Sequence, residues 1–120
     1  MPSERMRRVN VALREVLSAR LAVGLKDPRI GFVTVTDVKT SADLRYARVY
    51  VSVLGEGGRP SEPEQREATL DGLRSAHGFL QSHVARELRL KRTPTLEFTY
   101  DDTTDRAMRV DALIDEIERS

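Results

Sequence analysis

The chain has 120 residues, no cysteine and a net charge of +1, which suits a single domain and excludes disulfide frameworks, thiolate zinc sites and cysteine nucleophiles. Its charge is unevenly placed: residues 1–29 carry seven basic and three acidic groups, residues 81–100 four and two, and residues 101–120 three and seven. A near-neutral total therefore conceals a dipolar chain, and a polyanionic partner stays open.

Met6, Val9, Leu13, Val16, Leu17 and Leu21 recur at helical spacing, predicting a helix over 5–23 that stops at Gly24. Arg5, Arg7, Arg8 and Arg14 lie largely off that stripe, giving the helix a basic outer surface near its start. Cations there oppose the macrodipole, so the placement points to a use other than stability. The opening Met1-Pro2-Ser3-Glu4-Arg5 holds no signal-peptide core, and no apolar run approaches the roughly 20 residues of a membrane span. Together with the lack of cysteine, this makes the cytoplasm the expected location.

Lys26-Asp27-Pro28-Arg29 is turn chemistry, with Pro28 biasing Asp27 away from helix. Extended patterns follow from Phe32 to Lys39 and from Leu44 to Leu54, divided by Thr40-Ser41-Ala42-Asp43. In the second, Ala47, Val49, Val51 and Val53 share one face and Tyr46, Arg48, Tyr50 and Ser52 the other, as in an antiparallel sheet covered on one side. After the glycine-rich loop at 55–60, Ser61, Pro63 and Glu64 mark a helix start. An apolar stripe continues through Leu70, Leu73, Leu80, Val84 and Leu88.

Pro94 ends helical structure by Arg92 and makes Thr95–Tyr100 a third strand. A closing helix is expected through Val110, Leu113, Ile114 and Ile117. The order is α-β-β-α-α-β plus that helix, an α+β fold with a domain over 1–102 and an acidic helical extension over 103–120. No internal repeat or low-complexity tract interrupts it.

Ser75-Ala76-His77-Gly78 interrupts the long apolar stripe. Helical phase is kept from Leu73 through Leu80 to Val84, so an unbroken helix is one reading. The other is a bend that exposes backbone amides to a phosphate, because Gly78 costs about 1 kcal/mol inside a helix and Gly/Ser pairs are common kink sites. Arg74 precedes this step, and Arg86, Arg89, Lys91 and Arg92 follow it. Some of these cations complement the macrodipole at a helix end, but four in seven residues exceed what capping needs and suit a phosphate backbone. His77 could add a donor; His83 reads as structural. The two histidines are six apart and no thiol completes a ligand set, so no metal is expected.

Tyr46, Arg48 and Tyr50 could form a stacking platform, though such residues are ordinary on strand surfaces. Asp101-Asp102-Thr103-Thr104-Asp105 matches the DDxxD pattern of isoprenoid synthases by letter only, since capping explains carboxylates at a strand-to-helix junction. No Ser/His/Asp set, P-loop or G-x-G-x-x-G is present, and nothing argues for catalysis or a cofactor.

An ordered set of short motifs runs along most of the chain. It comprises Arg5-Met6-Arg7-Arg8-Val9, Asp27-Pro28-Arg29, Val33-Thr34-Val35-Thr36-Asp37-Val38, Ser41 with Asp43-Leu44, Ala47-Arg48-Val49-Tyr50-Val51-Ser52, Ala76-His77-Gly78, and Pro94-Thr95-Leu96-Glu97-Phe98 ending at Asp101. In this set the chain resembles the bacterial ribosome-binding factor A family. The resemblance implies a type II KH-like domain in which an A-x-G helix kink, here Ala76, His77 and Gly78, replaces the usual G-x-x-G loop. It also implies a non-catalytic factor of ribosome biogenesis that binds the small (30S) subunit and its 16S rRNA late in assembly, assists rRNA processing and supports growth in the cold.

The expected RNA-binding set is Arg7, Arg8, Arg74, Ala76, His77, Gly78, Arg86, Arg89, Lys91 and Arg92, on a monomer without a cofactor or small-molecule substrate. The competing class is a KH-like protein-interaction module with incidental RNA contact.

Overall fold

Ser3 starts the first helix, its Oγ accepting the Met6 N–H at 3.1 Å as an N-cap. In the computed structural model, which describes residues 3–55, 59 and 61–103, α1 runs Glu4–Val23 and buries Val9, Leu13 and Leu17. Gly24 ends it at φ +96°, a backbone conformation that side chains disfavour, with its N–H on the Leu21 carbonyl.

β1 (Phe32–Thr40) and β2 (Tyr46–Leu54) pair antiparallel, with Val35 opposite Val51 and Val38 opposite Val49. The register shifts between Val35 and Asp37, a bulge that the alternation in β2 could not reveal. It returns Val38 and Thr40 to the buried face. β2 starts at Tyr46, two residues later than the extended pattern predicts. Leu44 takes φ 58° in a turn held by Ser41 and Asp43, whose side chains accept the Tyr46 and Arg45 N–H groups.

α2 (Pro63–Ser75) begins with proline in its first turn, after Glu62 at the N-cap position. α3 (His77–Leu88) follows after one residue. β3 (Thr95–Tyr100) then pairs parallel to β2, with Ala47 opposite Leu96 and Val49 opposite Phe98. A parallel neighbour needs a long crossover, which α2 and α3 supply. The sheet order is β1-β2-β3.

α1 packs mainly on β1, α2 on β3, and α3 against α1. Leu13, Leu17, Val49, Val51, Leu73, Leu80 and Val84 are fully buried between helices and sheet. Each such leucine contributes about 2–5 kcal/mol against truncation to alanine. This is the α-β-β-α-α-β arrangement of a KH-like fold with helices on one face. The helix expected over 103–120, including Val110, Leu113, Ile114 and Ile117, lies outside the described residues beyond Thr103.

Candidate nucleic-acid interface

Two helices, not one, carry the stripe from Leu70 to Leu88. α2 ends at Ser75, Ala76 turns at φ −85° and ψ 6°, and α3 restarts at His77. The Ala76 N–H bonds to the Gly72 carbonyl and the Leu80 N–H to the Ala76 carbonyl, both at 3.0 Å. Between them, His77, Gly78 and Phe79 form the first turn of α3, the end of a helix at which backbone N–H groups point outward. No side chain caps this end of α3. The positive end of the α3 dipole therefore faces the break without a side-chain cap.

The residue that turns is Ala76, whereas Gly78 already lies inside α3 with nothing within 4 Å of where its Cβ would stand. The glycine on which the packing depends is Gly72, where a Cβ would meet Ile30 Cγ1 at 2.6 Å. That contact brings the loop before β1 against the end of α2.

The same loop closes a cleft of about 790 Å³ around the break, lined by Arg20, Leu25, Lys26, Asp27, Pro28, Arg29, Ser75, Ala76 and Phe79. Arg29 donates through Nε and Nη2 to both Asp27 carboxylate oxygens, at 3.0 and 2.6 Å for the closest pairs, and through Nη2 to Ser75 Oγ at 3.0 Å. These bonds and the Arg29 backbone N–H hold the Asp27 carboxyl down at about 2. Arg20 donates to the Gly24 carbonyl at 2.9 Å, and its guanidinium lies 4.9 Å from the centre of the Phe79 ring. Both arginines are thus positioned before any ligand arrives.

Several of the sequence-predicted residues lie elsewhere. Arg7 and Arg8 border a shallow pocket on the outer side of α1, and Arg8 pairs with Glu4 at 3.6 Å. Arg74 pairs with Asp71, also at 3.6 Å. Arg86 is exposed on α3. Arg89 closes that helix in a left-handed conformation at φ 47°. Lys91 and Arg92 meet Arg5 around a second, smaller pocket. Since Arg5 and Arg20 occupy opposite ends of α1, the two cationic groups sit about 20 Å apart along the helix.

His77 turns toward the sheet. Its Nε2 lies 3.1 Å from the Leu96 carbonyl, which can only accept, so Nε2 carries the proton. One turn on, Gln81 accepts the Leu96 N–H and donates to the Pro94 carbonyl. His77 and Gln81 together secure the start of the edge strand β3.

Arg20, Lys26 and Arg29 were not in the predicted set. In the sequence Lys26 and Arg29 are marked by the Lys26-Asp27-Pro28-Arg29 turn and Arg20 by no motif, and the contact of Arg29 with Ser75 spans 46 positions. On the uncovered face of the sheet, Tyr46 and Arg48 are exposed and Lys39 lies over the Tyr50 ring at 5.5 Å. Asp101 accepts from Thr36 Oγ1 at 2.6 Å and from the Thr103 N–H at 3.0 Å, and these bonds hold its carboxyl below the usual range. No group of three or more histidine and acidic side chains suited to a metal occurs among the described residues. Among them, too, no helix is long and apolar enough to cross a membrane.

The family model for ribosome-binding factor A matches residues 5–114. The ribosome-binding factor A of Thermodesulfovibrio yellowstonii is 43% identical over 119 residues, covering 99% of this chain and 95% of that protein. The crystal structure of ribosome-binding factor A from Thermus thermophilus superposes with a TM-score of 0.64 at 29% identity, over 79% of this chain and 94% of that one. A Thermus thermophilus homology model fitted into a cryo-EM map of a complex of that factor with the 30S subunit gives 0.60 at 30% identity, over 77% and 90%. The chain belongs to the ribosome-binding factor A family.

Proposed function

We propose that this chain is a non-catalytic assembly factor that binds the immature small ribosomal subunit through its 16S rRNA and assists late maturation of the rRNA ends. The observation that carries the reading is the α2–α3 break opening into a cleft rimmed by Arg20, Lys26 and Arg29. An uncapped helix start and fixed guanidinium groups side by side are what a phosphate backbone requires. The Thermus thermophilus relative fitted into a 30S complex supports the same partner.

Ala76 and Gly78 supply close backbone approach, and Arg86 extends the positive surface along α3. Arg89, Lys91 and Arg92 extend it further, with Arg7, Arg8 and Arg74 as peripheral contacts. His77 holds the start of β3 and contributes to the fold. The factor acts as a monomer in the cytoplasm, without a cofactor, and its contribution is greatest in the cold.

The test is gradient sedimentation of the purified chain with free small subunits from cells stalled in assembly, mature small subunits, and whole ribosomes. It should travel with small subunits and favour the immature ones. Migration at the top of the gradient in every case would refute the reading.

A further inference from the structure

Resting on the rRNA-binding reading above, we propose that the cleft beside the α2–α3 break receives one unpaired nucleotide, its base against Phe79 and its phosphate at Arg29 and Lys26. The cleft combines two chemistries that a backbone contact alone would not need. One is an apolar seat: Phe79 is 46% exposed although its neighbour Leu80 is fully buried. The Arg20 guanidinium and the His83 ring cover part of its ring, and Leu25 and Pro28 add apolar wall around it. The other is a rim of three cations, and both oxygens of Asp27, the acidic residue lining the cleft, are engaged by Arg29.

A nucleotide in a duplex keeps its base stacked inside and would meet only the rim. An unstacked one presents both an aromatic face and a phosphate, matching seat and rim together. The volume of about 790 Å³ lies in the range of clefts that enclose small organic ligands. Preorganisation favours this occupant as well. Arg20 is held by the Gly24 carbonyl and Arg29 by Asp27 and Ser75, while Nη1 of Arg29 and Nε of Arg20 take no part in those bonds. Little side-chain freedom remains to be lost on binding.

Footprinting of free small subunits bound by the full chain separates this inference from the reading beneath it. Dimethyl sulfate and a carbodiimide report on bases, and hydroxyl radicals report on the backbone. With the wild type, at least one unpaired base should be protected within the backbone footprint. Phe79→Leu keeps an apolar side chain but removes the aromatic face; it should restore that base to its free reactivity, keep the backbone footprint and weaken binding about tenfold. Phe79→Trp should retain the protection.

Base protection that is identical in Phe79→Leu and wild type would overturn the inference. So would a wild-type backbone footprint with no protected base, which leaves the rRNA-binding reading standing. Absence of both footprints would remove the reading and the inference with it.

Discussion

Arg29 Nη2 lies 3.0 Å from Ser75 Oγ, joining the loop before β1 to the last residue of α2 across 46 positions of chain. The bond fixes the cationic rim of the cleft relative to the helix break, and Asp27 holds the guanidinium from its other side.

This arrangement predicts an unusual titration. Asp27 lies at about 2 instead of the usual 3.8, chiefly through its side-chain bonds to Arg29. A carboxyl depressed in the folded state adds stability that is complete above its ordinary value and is lost as pH falls through the folded one. The pair should therefore stay ionised through pH 4 and break only near pH 2. The Asp27 side-chain carbon signal in an NMR titration should have its midpoint near 2 and return toward 3.8 in Arg29→Gln. A wild-type midpoint near 3.8 would show that the pair does not form.

The two glycines of the break region should respond in opposite directions. At Gly72 an added methyl meets Ile30 Cγ1 at 2.6 Å, so Gly72→Ala should lower unfolding stability by about 1–3 kcal/mol through overpacking. Gly78 is exposed and its surroundings are open. Gly78→Ala should be neutral or stabilising by up to about 1 kcal/mol, whereas Gly78→Trp should leave the fold intact and weaken subunit binding. Urea unfolding and sedimentation read the two effects separately.

His77 should behave as a structural residue. Its bond to the Leu96 carbonyl predicts a loss of about 1–2 kcal/mol in His77→Ala, with unchanged subunit affinity per folded molecule. Gln81→Leu removes two bonds to the same strand and should cost more, about 2–3 kcal/mol. Weaker subunit binding by His77→Ala at full stability would instead place the imidazole in the interface.

Local patterns carried most of the fold. The stripe through Val9, Leu13 and Leu17, the alternation in β2 and the boundary at Pro94 each reflect forces acting within a few residues, so the α-β-β-α-α-β order was legible. Features set by distant partners were not. The bulge at Thr36 needs β2 to define it, and the parallel pairing of β3 depends on the crossover. In the candidate site, the break was legible as a stripe interrupted by small residues, though Ala76 turns and Gly78 does not. Arg20, Lys26 and Arg29 are not legible as one group, because only the folded chain brings the ends of α1 and α2 together. Conversely, Lys91 and Arg92 follow α3 closely in sequence but sit by Arg5, at the far end of α1.

The positive surface around the break should be what holds the small subunit. Lys26 and Arg86 are exposed, with no described bond or ion pair through either side chain, so Lys26→Glu with Arg86→Glu alters charge with little change to the fold. Co-sedimentation with free small subunits should be measured for wild type and this double variant across a series of salt concentrations. Wild-type affinity should fall steeply as salt rises, and the double variant should bind at least tenfold more weakly with a shallower salt slope. Equal affinity and equal slope for the two proteins, both folded by circular dichroism, would contradict the assignment of the rRNA-binding surface.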